Sequence, residues 1–286
     1  MASFQHTLTG ENGSTWNLAE GPVFLMPGVI GLEEPEAAVF VDEYATMDGG
    51  AYRGWRAKPR NVILPVQING KTPAEFLATR KAWNKTIGTP GNEVKWKVSA
   101  PGQPARTLTM RSVPMGSFSR DIDSGLSLSE TYPLVFTAVD PFWKGAAINR
   151  TWDGDTGEWP DVFAGPGVLN IAPSSTYDAV TITNDGDVPA YAVWKLEGPF
   201  LSGAHVGIDG HVITIPFSMS SGQFIVIDTR PTHLKAYDHT GARRTADLGS
   251  RDFATIPPGA DVVLDISFTG AGSISVQITP SYLKAY

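Results

Sequence analysis

Apolar and polar residues alternate with period two through most of this chain, the signature of strands that bury one face. Val62, Leu64, Val66 and Ile68 form one such face; Pro65 among them has no N–H for a ladder and marks an edge strand or a bulge. Val94, Trp96 and Val98 alternate with Lys95, Lys97 and Ser99, and the turn-rich APGQPA then leads into RTLTMRS, so 94–111 reads as a hairpin. Leu126, Leu128, Tyr132, Leu134, Phe136 and Ala138 share one parity, giving a long strand or two strands interrupted near Pro133. One stretch has the helical period instead. Thr72 can cap it, Pro73 opens it, Glu75 completes a T-x-x-E box and Gly88 stops it. Its apolar stripe (Phe76, Leu77, Trp83 and Ile87) is expected to lie on a sheet.

The second half repeats the strand signal in shorter pieces. Eight are expected, at 180–184, 190–197, 204–208, 211–216, 223–228, 233–237, 261–268 and 273–279, with turn residues between them and no helix. That pattern reads as a sandwich of jelly-roll type. Between the halves, 146–175 is rich in Gly, Pro, Asp and Ser yet carries Trp152, Trp159 and Phe163, so it reads as a linker that packs down. The expected organisation is a first domain over 1–145, this linker, and a second domain over 176–286.

Composition agrees with a turn-rich β protein. A chain of 286 residues is long enough for about two domains, and 30 glycines with 22 prolines exceed the average share. No cysteine is present, which removes disulfide scaffolds, thiolate metal sites and cysteine nucleophiles together. The net charge of −7 argues against stable nucleic-acid binding. Its distribution is uneven. Residues 1–52 hold eight acids and no Lys or Arg, whereas 53–111 hold twelve Lys or Arg and two acids. The N-terminus lacks a basic stretch ahead of an apolar core, and Pro27 and Gly28 break the longest apolar run, so synthesis in the cytoplasm without membrane insertion is expected.

Candidate chemistry is sparse. Asp209-Gly210 predicts a two-residue hairpin turn that pairs Ile208 with His211 and His205 with Thr214, which places the two histidines on opposite faces of the sheet and unable to share a metal. DGDTGE at 153–158 has a calcium-loop fragment without the distal bidentate Glu, and NDGDVP at 184–189 is a turn. No G-x-S-x-G elbow and no phosphate-cradling loop occurs, and no catalytic, cofactor-binding or metal residue is nominated. RGWRAKPR is the densest basic segment, with Arg56, Lys58 and Arg60 on one face if extended. Trp194 is the candidate for a sugar-stacking platform, against the commoner reading of a core tryptophan.

The order of segments adds a further reading. FLMPGVIGLEEP, YATMDGGAYRG and RNVILPVQING, then the helix TPAEFLATRKAWNKTI, the hairpin VKWKVSAPGQPARTLTM and the strand ending LVFTAVDPFW, resemble in succession the distal tail proteins of long, non-contractile-tailed bacteriophages. TITNDGDVPAYAVWKLEGPF and IPFSMSSGQFIVIDT continue the resemblance through the second half. It implies a mostly β chain, with an N-terminal sandwich or barrel-like domain that carries one packed helix and closes into a ring, and a galectin-like C-terminal sandwich. It also implies a homohexameric ring in the virion tail tip, joining the tail tube protein to the tail-tip hub protein, with the tape-measure protein in its lumen and no catalysis or cofactor. The H-x-N-x-R sugar motif of galectins is absent around His205 and His211. A carbohydrate-binding adhesin is the alternative function, and a β-rich hydrolase a third. The expected subunit contact sets the acids Glu33, Glu34, Glu36, Asp42 and Glu43 of residues 20–48 against Arg53, Arg56, Lys58 and Arg60 of a neighbour's 53–111.

Overall fold

A computed structural model describes residues 4–46, 48–114, 128–154, 174–176 and 180–286. The chain is mostly β with a single α-helix among the described residues, and it divides into two units. The first comprises the residues up to Ala146 together with Tyr282–Tyr286, and the second Ala147–Ser281.

The first unit holds β1 (Gln5–Gly10), β2 (Thr15–Asn17), β3 (Val23–Leu25), β4 (Ala37–Glu43), β5 (Gly50–Ala57), β6 (Arg60–Asn69), α1 (Pro73–Ile87), β7 (Glu93–Ser99), β8 (Arg106–Ser112), β9 (Ser129–Ala138) and β10 (Trp143–Lys144). Its main sheet is antiparallel in the order β2-β1-β7-β8-β9-β6-β3. The two ends of that path meet, because Leu25 N–H donates to the Leu18 carbonyl at 3.0 Å, and the sheet is nearly closed and barrel-like. Inward residues of one parity fill it: Leu8, Val62, Leu64, Val66, Trp96, Leu108, Phe136 and Trp143 are all fully buried.

Pro65 marks neither an edge nor a bulge. β6 lies between β9 and β3, with Pro65 directly opposite Pro133 in an unbroken ten-residue register. Both prolines sit where no donor is needed. β3 pairs only with residues 66–68, Met26 N–H donates to the Pro65 carbonyl at 2.8 Å, and the register of β8 with β9 ends at Phe136. β9 is accordingly one strand; Leu126 lies outside the described residues.

α1 starts and stops where its caps predict. Glu75 N–H donates to Thr72 Oγ1 at 3.2 Å, and Gly88, at φ 71°, donates its N–H to the Asn84 carbonyl. The Glu75 carboxylate accepts from Lys71 N–H rather than from Thr72 N–H, so the box is shifted by one residue. Phe76, Trp83 and Ile87 are buried, but Leu77 is 57% exposed. At about 100° per residue Leu77 stands a quarter-turn off that stripe. The contact face of α1 is therefore narrower than expected, and Arg80 on it reaches buried Glu130 of β9 at 3.1 Å. A Cβ on Gly10 would lie 2.3 Å from the Thr86 carbonyl oxygen, so only glycine lets β1 approach the helix this closely.

The second unit is a two-sheet sandwich. β11 (Ile148–Asp153), β12 (Ser174–Thr176), β13 (Val180–Thr183), β14 (Ala192–Glu197), β15 (Ala204–Ile208), β16 (His211–Ile215), β17 (Phe224–Asp228), β18 (Lys235–Asp238), β19 (Asp261–Thr269) and β20 (Ser273–Ile278) form sheets in the orders β11-β20-β14-β17-β18 and β12-β19-β15-β16, with β13 also on β19. Inward residues from both sheets make one core, including Trp194, Val206, Ile225, Leu264 and Val276. β11 falls within the expected linker and pairs residue for residue with β20, placing Trp152 against the core; Trp159 and Phe163 lie outside the described residues. At the expected turn after β13, the fully buried Asn184 amide donates to the Val188 and Ile256 carbonyls and accepts from Gly186 N–H.

One buried charge organises the first unit. Arg60, 2% exposed, donates Nε–H to the Pro141 carbonyl at 2.6 Å, Nη1–H to the carbonyls of Gly31 (2.9 Å) and Glu33, and Nη2–H to Leu283 at 2.7 Å. Burial lowers its pKa to about 10, so it stays cationic at neutral pH. Arg60→Met is expected to lower unfolding stability by about 3 kcal/mol, because the carbonyls of Glu33, Pro141 and Leu283 lose their guanidinium donor while that of Gly31 keeps only Trp143 Nε1–H at 3.3 Å. Arg60→Lys should recover little of it, as one ammonium cannot reach three separate segments. Denaturant unfolding of the full chain measures both. His6 tests a second, half-buried group. It stacks on Trp96 with centroids 5.8 Å apart, and burial holds its pKa below the ordinary 6.5. The folded state thus binds a proton less readily than the unfolded one, and stability should be complete above pH 6.5 and fall as pH drops below it. Melting temperatures of wild type and His6→Gln between neutral and mildly acidic pH should diverge in that direction.

Candidate assembly interface

β4 and β5 form a ribbon that pairs with no other strand among the described residues. Their register runs from Ala37↔Ala57 to Glu43↔Gly50 and shifts between Phe40 and Val41, where Arg53 is the extra residue. Gly54 beside it has φ 144°, a backbone conformation that favours glycine. Cross-strand partners share a face. Val39 with Trp55 and Val41 with Tyr52 therefore form one continuous apolar face, extended by Ala37 and Ala57 at the root. It is open to solvent: Val39 is 60% exposed, Val41 47%, Tyr52 63% and Trp55 47%. The other face carries Phe40, also 50% exposed, between Arg56 and the pair Asp42–Arg53.

The charges nominated from the sequence are brought together, but largely within one chain. Arg53 Nε lies 2.5 Å from Asp42, and Lys58 Nζ lies 3.8 Å from Glu36 across the root of the ribbon. Glu33 and Glu34 lie 3.5 and 3.6 Å from Lys284 Nζ. These pairs are solvated and contribute modestly to stability. Arg60 does not belong to a contact surface at all. Its guanidinium is spent on backbone carbonyls, because the residue starts β6, whose odd-even pattern turns it into the interior with Val62. Arg56 and Glu43 remain exposed with no ion partner among the described residues.

Trp194 is likewise corrected. It is 1% exposed in the sandwich core, and its covered ring faces offer no stacking surface to a sugar. The Asp209–Gly210 turn has the expected register, His205↔Thr214 and Ile208↔His211, and His211 pairs instead with Asp252 at 2.9 Å on the surface. Among the described residues no group of three or more His, Cys, Asp or Glu is placed to hold a metal ion, and no helix is long and apolar enough to cross a membrane.

The apolar ribbon face escaped the reading of the sequence because the flanking acids dominated it. A signal existed: Val39 and Val41 alternate with Ala38 and Phe40 in a stretch where every residue is apolar, and GAYRGW follows after a short Gly-containing turn.

No known family model matches the chain, and no curated protein matches it in sequence. Solved structures do. The crystal structure of the phage SPP1 Dit (gp 19.1) protein, described as a paradigm of the hub adsorption apparatus in phages infecting Gram-positive bacteria, aligns with a TM-score of 0.61 at 15% identity, covering 98% of this chain and 99% of that one. The phage P2 baseplate in its activated conformation with Ca aligns at TM-score 0.56 and 10% identity, over 97% of this chain and 98% of that chain. The same baseplate with Sr gives 0.55 and 10%, over 96% and 98%. Both units, in sequence order, thus share the fold of Dit-like phage tail components.

Proposed function

We propose that this chain is a structural subunit of a bacteriophage tail tip, whose copies close into a homohexameric ring between the tail tube protein and the tail-tip hub protein. The ring sits in the virion, its lumen accommodates the tape-measure protein, and the chain is made in the host cytoplasm and catalyses no reaction. The observation that carries this reading is the ribbon of β4 and β5. A two-stranded ribbon with a bare apolar face is a poor structure for a monomer, since four large apolar side chains remain in water. Covered by a neighbour, each contributes about 1 kcal/mol, since roughly half of its surface is still in water. The end-to-end fold likeness to hub and baseplate proteins supports the setting in which that neighbour is another copy.

Light scattering and negative-stain imaging of the full chain test the proposal. The expected result is a particle of six times the 30.7 kDa chain mass with a central hole. Val41→Glu combined with Trp55→Glu should weaken assembly by about a hundredfold or more while leaving the melting temperature of the isolated chain nearly unchanged, because both side chains are exposed there. A wild-type protein that stays monomeric at tens of micromolar overturns the ring.

A further inference from the structure

If copies assemble through the ribbon, each must also present a surface that receives it. The outer face of the barrel-like sheet has the chemistry for this. Across β2, β1, β7 and β8 the register sets Thr15, Thr9, Lys95 and Thr109 in one row. The next outward row sets Thr7, Lys97 and Thr107 side by side. The intervening row (Leu8, Trp96 and Leu108) is fully buried, so the threonine and lysine rows face outward. Lys95 and Lys97 are exposed, and neither has an ion partner among the described residues. The face combines threonine methyls and lysine stems, which accept apolar contact, with two unneutralised ammonium groups about 7 Å apart along one strand.

The ribbon is complementary to it. Its apolar face ends at Glu43, with Asp48 in the turn that follows, and both acids are exposed without a cation partner among the described residues. We propose that the ribbon of one copy lies flat over the Thr/Lys face of the next, in sheet-on-sheet packing, with Glu43 and Asp48 set against Lys95 and Lys97. This rests on the self-assembly reading and adds to it the receiving surface. It replaces Arg56, Lys58 and Arg60 by Lys95 and Lys97 as the cations that meet a neighbour's acids.

Charge reversal tests it in the full chain. Lys95→Glu with Lys97→Glu should raise the concentration needed for assembly by roughly tenfold or more, since attraction becomes like-charge repulsion. Adding Glu43→Lys and Asp48→Lys to the same chain should restore assembly, a rescue that mere damage to folding would not show. The chain has no cysteine, so a second measurement is free of background. Mixing a copy carrying Asp48→Cys with one carrying Lys95→Cys should yield an oxidised dimer. Rings formed by the wild type and undiminished by Lys95→Glu/Lys97→Glu, with no mixed cross-link, overturn this surface and leave the ring standing. A wild type that never assembles overturns both. Unchanged rings together with loss of retention on a duplex DNA oligonucleotide would assign the lysines to a polyanion and likewise overturn the proposal.

Discussion

The first unit depends on a buried cation, Arg60, that makes no ion pair with a carboxylate among the described residues. Arg60 is held by carbonyls of Gly31, Glu33, Pro141 and Leu283, which come from three stretches far apart in the chain. A desolvated guanidinium is tolerable only when its donors are satisfied, so each of those stretches must sit at hydrogen-bond distance or the whole cost of burial returns. Two of the carbonyls lie just before β4, and Arg60 itself lies just after β5. The entry and the exit of the ribbon are thereby tied to one rigid point. Ala285 N–H reinforces it by donating to the Leu32 carbonyl at 2.8 Å.

A rigid root matters because the ribbon has little else to hold it. Two strands with no third are marginal in water, and here the stabilising contacts are exposed ion pairs, Asp42–Arg53 and Glu36–Lys58, each worth well under about 1 kcal/mol. These pairs bind one strand to the other and fix the register on both sides of the bulge. That use of charge explains why the acidic and basic blocks lie next to each other in the chain. Two acid–base pairs between the blocks are used in building the ribbon, while Glu43, Asp48, Arg56, Lys95 and Lys97 are among the exposed charges that have no ion partner among the described residues.

Much of the architecture was legible in the chain. Period-two runs located β6, β7 and β8 and eight of the ten described strands of the second unit, β13 to β20, to within two residues, because each buries one face and parity alone encodes that; β11 and β12 fall in the stretch read as a linker. The caps of α1 were readable for the same local reason. What failed was whatever depends on neighbours. Pro65 looked like an edge because a lone strand cannot reveal that β3 pairs only past it. Arg60 looked like one more basic residue, since nothing in RGWRAKPR tells that four carbonyls wait for the last arginine. Trp194 kept both readings open until the second sheet covered it. The ribbon was missed because its alternation pairs apolar with apolar, a pattern that periodicity cannot resolve into an inner and an outer face.

Two unlike surfaces on one chain, an apolar ribbon and the threonine-lysine outer face of the barrel-like sheet, are what the proposed head-to-tail association requires, since its contacts repeat by a fixed rotation. Such a series closes only when the rotation per copy divides a full turn; otherwise it runs on as an open filament. The rotation is set by the angle at which the ribbon leaves its own unit, and that angle is as well defined as the root is stiff. A ribbon on a flexible stalk would sample many rotations and give short, irregular chains. On the proposed ring, Arg60 would bear on assembly without touching a neighbour: by holding both ends of the ribbon at one buried point it would give the hairpin a single direction, which is what closure of a ring demands.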